Sequence, residues 1–240
     1  MNTHAPVRGV AEPNLRSAKT RAERKNYLAS MPKPKARGWL HVLTAPLALA
    51  NGILLIVFAP GIPAKIGAAI FMVAAFLLFT NSGIYHLGNW SPKVTAVLRR
   101  IDHANIFLLI AGTYTPLSIM LLPFKPAVIV LSIVWGGAVV GSLMRIFWIN
   151  APRWLYVLLY IALGWVALWF LPAFWNNGTP AIVILVLAGG IAYTIGAMFY
   201  AFKWPNPWPR IWGFHEFFHV GTVIGFSCQA VAVWLTVFSV

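Results

Sequence analysis

Residues 180–202 read PAIVILVLAGGIAYTIGAMFYAF, without one charged side chain. A bilayer-crossing helix needs about 20 predominantly apolar residues, because each residue rises about 1.5 Å through a hydrocarbon core about 30 Å thick. This run meets that requirement, and working outward from it the same test selects 39–59, 65–87, 98–122, 126–147, 154–173 and 212–238. Between them lie the breakers: Pro60 and Pro63, Ser91 and Pro92, Pro123 and Pro126, Pro152, Asn176 to Gly178, and Pro205, Pro207 and Pro209. The expected fold is an all-α integral membrane protein, a seven-transmembrane-helix bundle over residues 39–240. Residues 1–38 are expected to form a separate basic, disordered cytoplasmic tail.

Composition agrees. Of 240 residues, 60% are hydrophobic and 9% charged, against roughly 25% charged in an average soluble domain. The 18 basic and 4 acidic side chains give a net charge of +14, a balance that in a soluble protein would point to nucleic acid. Here its placement points to topology instead. Nine basic residues precede residue 38, and Lys93, Arg99, Arg100, Arg145, Arg153, Lys203 and Arg210 mark every second boundary thereafter. The opposite side keeps only Lys65 and Lys125. By the positive-inside rule the N-terminus is cytoplasmic, the C-terminus is outside and no nucleic-acid partner is expected. Trp39, Trp90, Trp204, Trp208 and Trp212 suit an interfacial aromatic belt. The Arg-rich, acid-poor head also fits a mitochondrial transit peptide. A plasma-membrane protein whose tail is drawn to anionic headgroups accounts for the same charges and is preferred. The single cysteine, Cys228, excludes an intramolecular disulfide.

Ionisable residues inside a span are costly, about 2.5–3.5 kcal/mol on the insertion scale, so each needs a partner or a task. Beyond the head the only carboxylates are Asp102 and Glu216, and both fall beside histidines: His86, His103, His215 and His219. Their positions relative to the basic loops put them all in the cytoplasmic half, on three helices. His215 and His219 are spaced i, i+4, as are Ser82 and His86, so each pair shares one helix face. Three imidazoles, His86, His215 and His219, match a Zn²⁺ site with a fourth position open to water. Asp102 is placed to accept a hydrogen bond from that water or from a ligand ring. Alternatives stay open. An i, i+4 His pair also arises as a structural hydrogen-bonded pair. The literal His215-Glu216-Phe217-Phe218-His219 also matches the HExxH of zinc proteases, whose general base would be Glu216. On a helix, however, Glu216 points about 100° away from His215, which suits a salt bridge better. His41, next to Trp39, reads as an interfacial residue and not as a ligand. Gly112-Thr113-Tyr114-Thr115-Pro116 reads as structural, with Thr hydroxyls serving carbonyls freed by Pro116; Tyr114 is also a candidate to line a substrate space. Gly136, Gly137, Gly141, Gly189 and Gly190 are expected to allow close helix approach.

Ser82-Gly-Ile-Tyr-His86, the run from Leu98 through Arg99-Arg100-Ile101-Asp102-His103 to Pro116, and His215-Glu-Phe-Phe-His219 together resemble the hemolysin III family, the bacterial branch of the progestin and adipoQ receptor (PAQR) superfamily. The resemblance spans about residues 39–238. It implies a seven-helix protein with a zinc ion near the inner face, ligated by His86, His215 and His219, with Ser82 and Asp102 as polar neighbours of the metal. The wider superfamily includes ceramidases, so the resemblance implies a zinc-dependent hydrolase of a lipid amide or ester, with Asp102 and Ser82 catalytic and membrane lipids as partners. A non-enzymatic protein with structural zinc that adjusts membrane fluidity or signals is the alternative. A cytolytic pore fits less well, because the outer half offers no ionisable relay. The chain departs from the family pattern where Thr44 is followed by Ala45 rather than His, and where Cys228 and Gln229 stand near a late histidine of some members.

Overall fold

The computed structural model describes residues 34–148, 150–208 and 210–239. Its helices are α1 (Trp39–Phe58), α2 (Gly61–Leu87), α3 (Pro92–Leu121), α4 (Phe124–Phe147), α5 (Arg153–Gly164), α6 (Leu171–Asn177), α7 (Pro180–Phe202) and α8 (Phe214–Ser239). A 3₁₀ segment, Trp165–Phe170, joins α5 to α6. Together these make seven spans long and apolar enough to cross a membrane, the fifth being Arg153–Asn177. The fold is therefore all-helical with the expected seven spans. Most of the expected tail, residues 1–33, lies outside the described residues. Residues 34–38, assigned by sequence to the tail, instead dock on the loop before α8, where the Lys35 and Ala36 N–H groups donate to the Arg210 and Ile211 carbonyls at 3.0 and 3.2 Å. Backbone pairing with this loop, itself closed by Trp208–Trp212 backbone bonds, supplies the order that their side chains do not announce.

Local chemistry accounts for the ends. The Ser91 hydroxyl accepts from Val94 N–H at the start of α3, and Pro92 occupies the first turn, where its missing N–H costs nothing. This starts α3 six residues earlier than its apolar run, which carries Lys93, Arg99 and Arg100 on the helix itself. At α8 the Glu216 carboxylate accepts from Gly213 N–H at 2.7 Å, tying down one of the first-turn donors.

The fifth span departs most from its sequence reading as one continuous helix. Where it tightens to 3₁₀ geometry, the Tyr114 hydroxyl from α3 donates to the Gly164 carbonyl at 2.7 Å and accepts from Ala167 N–H at 2.6 Å. A single hydroxyl thus satisfies both groups released by the break. Around Pro116 the expectation needs correction: Thr113 and Thr115 donate to their own i−4 carbonyls, Leu109 and Ala111, rather than to Gly112.

Packing is that of a membrane bundle. Large apolar side chains such as Leu43, Leu47, Ile62, Phe124 and Val140 face outward, while Ala45, Ala48, Ala64, Ala68 and Ala75 are buried. The third span is the central one, with 72% of its most apolar window buried against 28% for the fourth and fifth. Sequential neighbours α1 to α4 pack pairwise, α7 packs along α8, and α8 closes against α1 and α3. At the α7–α8 contact Gly196 faces Gly221, and a side chain on either would meet the other helix's backbone. Gly189 approaches the Gly225 carbonyl on the same contact, whereas Gly136 has nothing near it and takes no part in helix approach.

Candidate metal centre

Alternation of the spans brings the start of α1, the end of α2, the start of α3, the end of α4, the start of α5, the end of α7 and the start of α8 to one end of the bundle. His86 is the penultimate residue of α2, and His215 and His219 lie in the first turns of α8. One ring nitrogen from each of the three lies within 4.8 Å of the other two. The His86 and His215 Nε2 atoms are 3.1 Å apart, and the ring centroids are separated by 4.6–5.2 Å. Two ligand nitrogens at about 2.0–2.1 Å from a tetrahedral ion must themselves lie a little over 3 Å apart, so this donor set fits a metal such as Zn²⁺. His86 and His219 are buried and His215 is half-buried, so the nitrogens converge away from water.

The surroundings hold these rings in place. Gly38, at φ +86° ahead of α1, lies against His86, and a Cβ there would collide with the His86 Cβ. Only glycine adopts that φ freely and leaves that space. His41 is 2% exposed and stacks on His219, centroids 3.8 Å apart and planes 14° from parallel, with Phe79 edge-on. The interfacial placement read from its sequence position is therefore overturned. The docked 34–38 segment covers the start of α1, and α1 turns His41 inward.

Ser82, one turn before His86, is buried and faces Asp102 of α3 within hydrogen-bonding reach. Asp102 and His215 line one small pocket together with His103, Tyr160 and Tyr200. The sequence-derived residues thus gather at one place, with Asp102 beside the triad. Glu216 turns elsewhere: its carboxylate is bonded to the Arg37 side chain and to Gly213 N–H, which leaves it in a structural role rather than that of a protease base. His103 is also engaged, its Nδ1 2.6 Å from the Arg99 carbonyl and its Nε2 3.1 Å from the Tyr200 hydroxyl.

A second space adjoins this pocket. It is open at its mouth and is lined by α2, α3, the fifth span, α7 and α8. Its walls are apolar, with Tyr114, Thr194 and Gln229 among the few polar groups, and the buried Tyr193 hydroxyl has no hydrogen-bond partner. Ile106, Tyr160, Ala197 and Phe218 line both spaces. Tyr114 takes the lining position expected of it as an alternative, but the rest of this apolar space is not legible from helix periodicity, because five separate spans enclose it.

Seven apolar spans with a histidine triad that could hold a metal define a class, the heptahelical integral membrane proteins with a possible metal site. The chain belongs to the haemolysin-III related family, whose model matches residues 29–230. It is 32% identical to Hemolysin-3 of Bacillus cereus over 191 residues, 78% of this chain and 86% of that protein. A Hemolysin-3 homolog of Bacillus subtilis (strain 168) is 30% identical over 191 residues, 78% of this chain and 88% of that one. The Heptahelical transmembrane protein ADIPOR2 of Oryza sativa subsp. japonica is 31% identical over 181 residues, 68% of this chain and 79% of that one.

Proposed function

We propose that this chain is a zinc-dependent hydrolase of a lipid amide or ester, set in the plasma membrane with its N-terminus and triad on the cytoplasmic side. One observation carries the reading: the pocket holding Asp102 and His215 shares four lining residues with the large apolar space. An acyl chain in that apolar space would bring its carbonyl carbon to the end that holds the polar groups, as ligand sites pair apolar walls with a few placed polar groups. The family resemblance, whose superfamily includes ceramidases, supports the same chemistry.

Bound by His86, His215 and His219, zinc would supply Lewis acidity that brings water to deprotonate near neutral pH. The remaining work falls to side chains. Asp102 accepts the proton from the attacking water and returns it to the leaving amine or alcohol as the acyl C–N or C–O bond breaks, so water divides between the two products. Ser82, within reach of Asp102, donates to the carbonyl oxygen as negative charge develops there. Tyr160 and Phe218, common to both spaces, hold the acyl chain at their junction.

The structural-metal alternative is favoured by one feature. The triad joins α2 to α8, helices that are not among the extensively packed pairs. A metal there would act as a staple, with effects on bilayer order or signalling rather than turnover.

Zinc-loaded protein in detergent, offered short-chain ceramides and matched esters, should release fatty acid detectable by mass spectrometry. Asp102→Asn should abolish release while retaining the metal. Metal-loaded wild type that releases no fatty acid across such a panel would remove the hydrolase reading in favour of the staple.

A further inference from the structure

Arg145, in the last turn of α4, is 6% exposed, and its Nε and Nη1 have no hydrogen-bond partner. Its guanidinium lies over the Tyr156 ring, 4.1 Å from the centroid. Arg153, the first residue of α5, lies 4.5 Å over the ring of Tyr200, whose hydroxyl is 3.4 Å from that of Tyr156, and it donates from Nη1 to the Tyr200 carbonyl at 2.9 Å. The Tyr200 hydroxyl in turn lies 3.1 Å from His103 Nε2. No carboxylate answers these cations: among the described residues Glu216 is bonded to Arg37, and Asp102 faces Ser82. Aromatic faces attract a guanidinium but carry no formal charge. A buried cation with two unbonded donors is costly unless an anion completes it.

Depth says what that anion is. Arg145 is two residues from the end of α4, about 3 Å along the axis, and Arg153 begins the next span, so both lie at span ends, the part of a spanning helix that meets the headgroup region. We propose that Arg145 and Arg153 form a binding site for the phosphate of an anionic phospholipid headgroup, beside the pocket that leads to the histidine triad. The planar guanidinium fork matches a phosphate's oxygens, and the two tyrosine rings hold both forks in place. This site is independent of the metal and of any hydrolysis.

The test uses wild type, R145Q, R145K and R153Q, purified in a neutral sugar detergent and given dioleoyl phosphatidylglycerol, the matching diacylglycerol, or inorganic phosphate. Bound lipid is counted by native mass spectrometry, and thermal unfolding is followed in parallel. Phosphatidylglycerol should be retained and should raise Tm, with no effect of diacylglycerol. R145Q and R153Q should each weaken its binding about tenfold, the loss of a charge-assisted bond. If R145Q fails to fold, R153Q and R145K carry the comparison, with R145K binding more weakly than wild type because it loses the fork. H215A should retain phosphatidylglycerol, which separates this site from the metal centre. Equal retention by wild type and variants, or an equal response to diacylglycerol, would overturn the proposal. An equal response to inorganic phosphate alone would overturn the lipid as its source. Loss of the lipid response in E12Q/E23Q, with R145Q and R153Q unaffected, would give the partnership to the chain's own N-terminal carboxylates and overturn it as well.

Discussion

One small residue, Gly38, sets the geometry of the centre as firmly as the histidines do. Gly38→Ala should destabilise the fold by about 1–2 kcal/mol from its positive φ alone. It should also push His86 off the convergence point, so that metal affinity, measured by competition with a chromogenic chelator, falls further than stability does. Unchanged affinity in a folded Gly38→Ala protein would show that the contact with His86 is incidental. Sequence spacing reaches some of this and not the rest. The pair His215 and His219 is legible because i, i+4 puts both on one face, and His86 is legible from its depth beside a basic loop. His41 is not, because its partner His219 lies on the last helix and no periodicity within α1 says which neighbour that helix will meet. Arg145 reads as an ordinary interfacial arginine for the same reason: its burial is produced by Tyr156 of another span.

Among the elements, the fifth span and the α7–α8 contact carry the most specific expectations. Tyr114→Phe removes the hydroxyl that serves both Gly164 and Ala167, leaving a buried donor and acceptor open at a cost of about 1–3 kcal/mol each. Its thermal midpoint in detergent should drop, whereas Tyr85→Phe, at a half-buried position, should change little. Gly221→Leu should separate α7 from α8, because the added side chain meets the backbone at Gly196 and Ala192; overpacking of this kind costs about 1–3 kcal/mol or more. Retention of wild-type stability there would mean that the two helices can part without penalty. The apolar runs foretold every span, with ends within six residues of those observed. They could not foretell the 3₁₀ break, because its stabilising hydroxyl arrives from fifty residues upstream.

For the molecule as a whole, alternation of seven spans gathers the polar chemistry at one end and leaves the other nearly bare of charge. The topology proposed from the positive-inside pattern would put the triad end in the cytoplasm. Single cysteines placed in a Cys228→Ala background should bear this out. One in the 88–91 loop should be shielded from a membrane-impermeant maleimide in intact cells, and one in the 176–179 loop should be labelled; the reverse pattern would invert the topology. The central claim is that His86, His215 and His219 form one metal centre, and elemental analysis of the purified protein tests it most directly. Wild type should carry about one zinc ion per chain, as expected for a three-histidine site, and the His86→Ala, His215→Ala and His219→Ala variants should carry essentially none. Metal-free wild type after purification with zinc present, or full metal retention when the triad is removed, would contradict it.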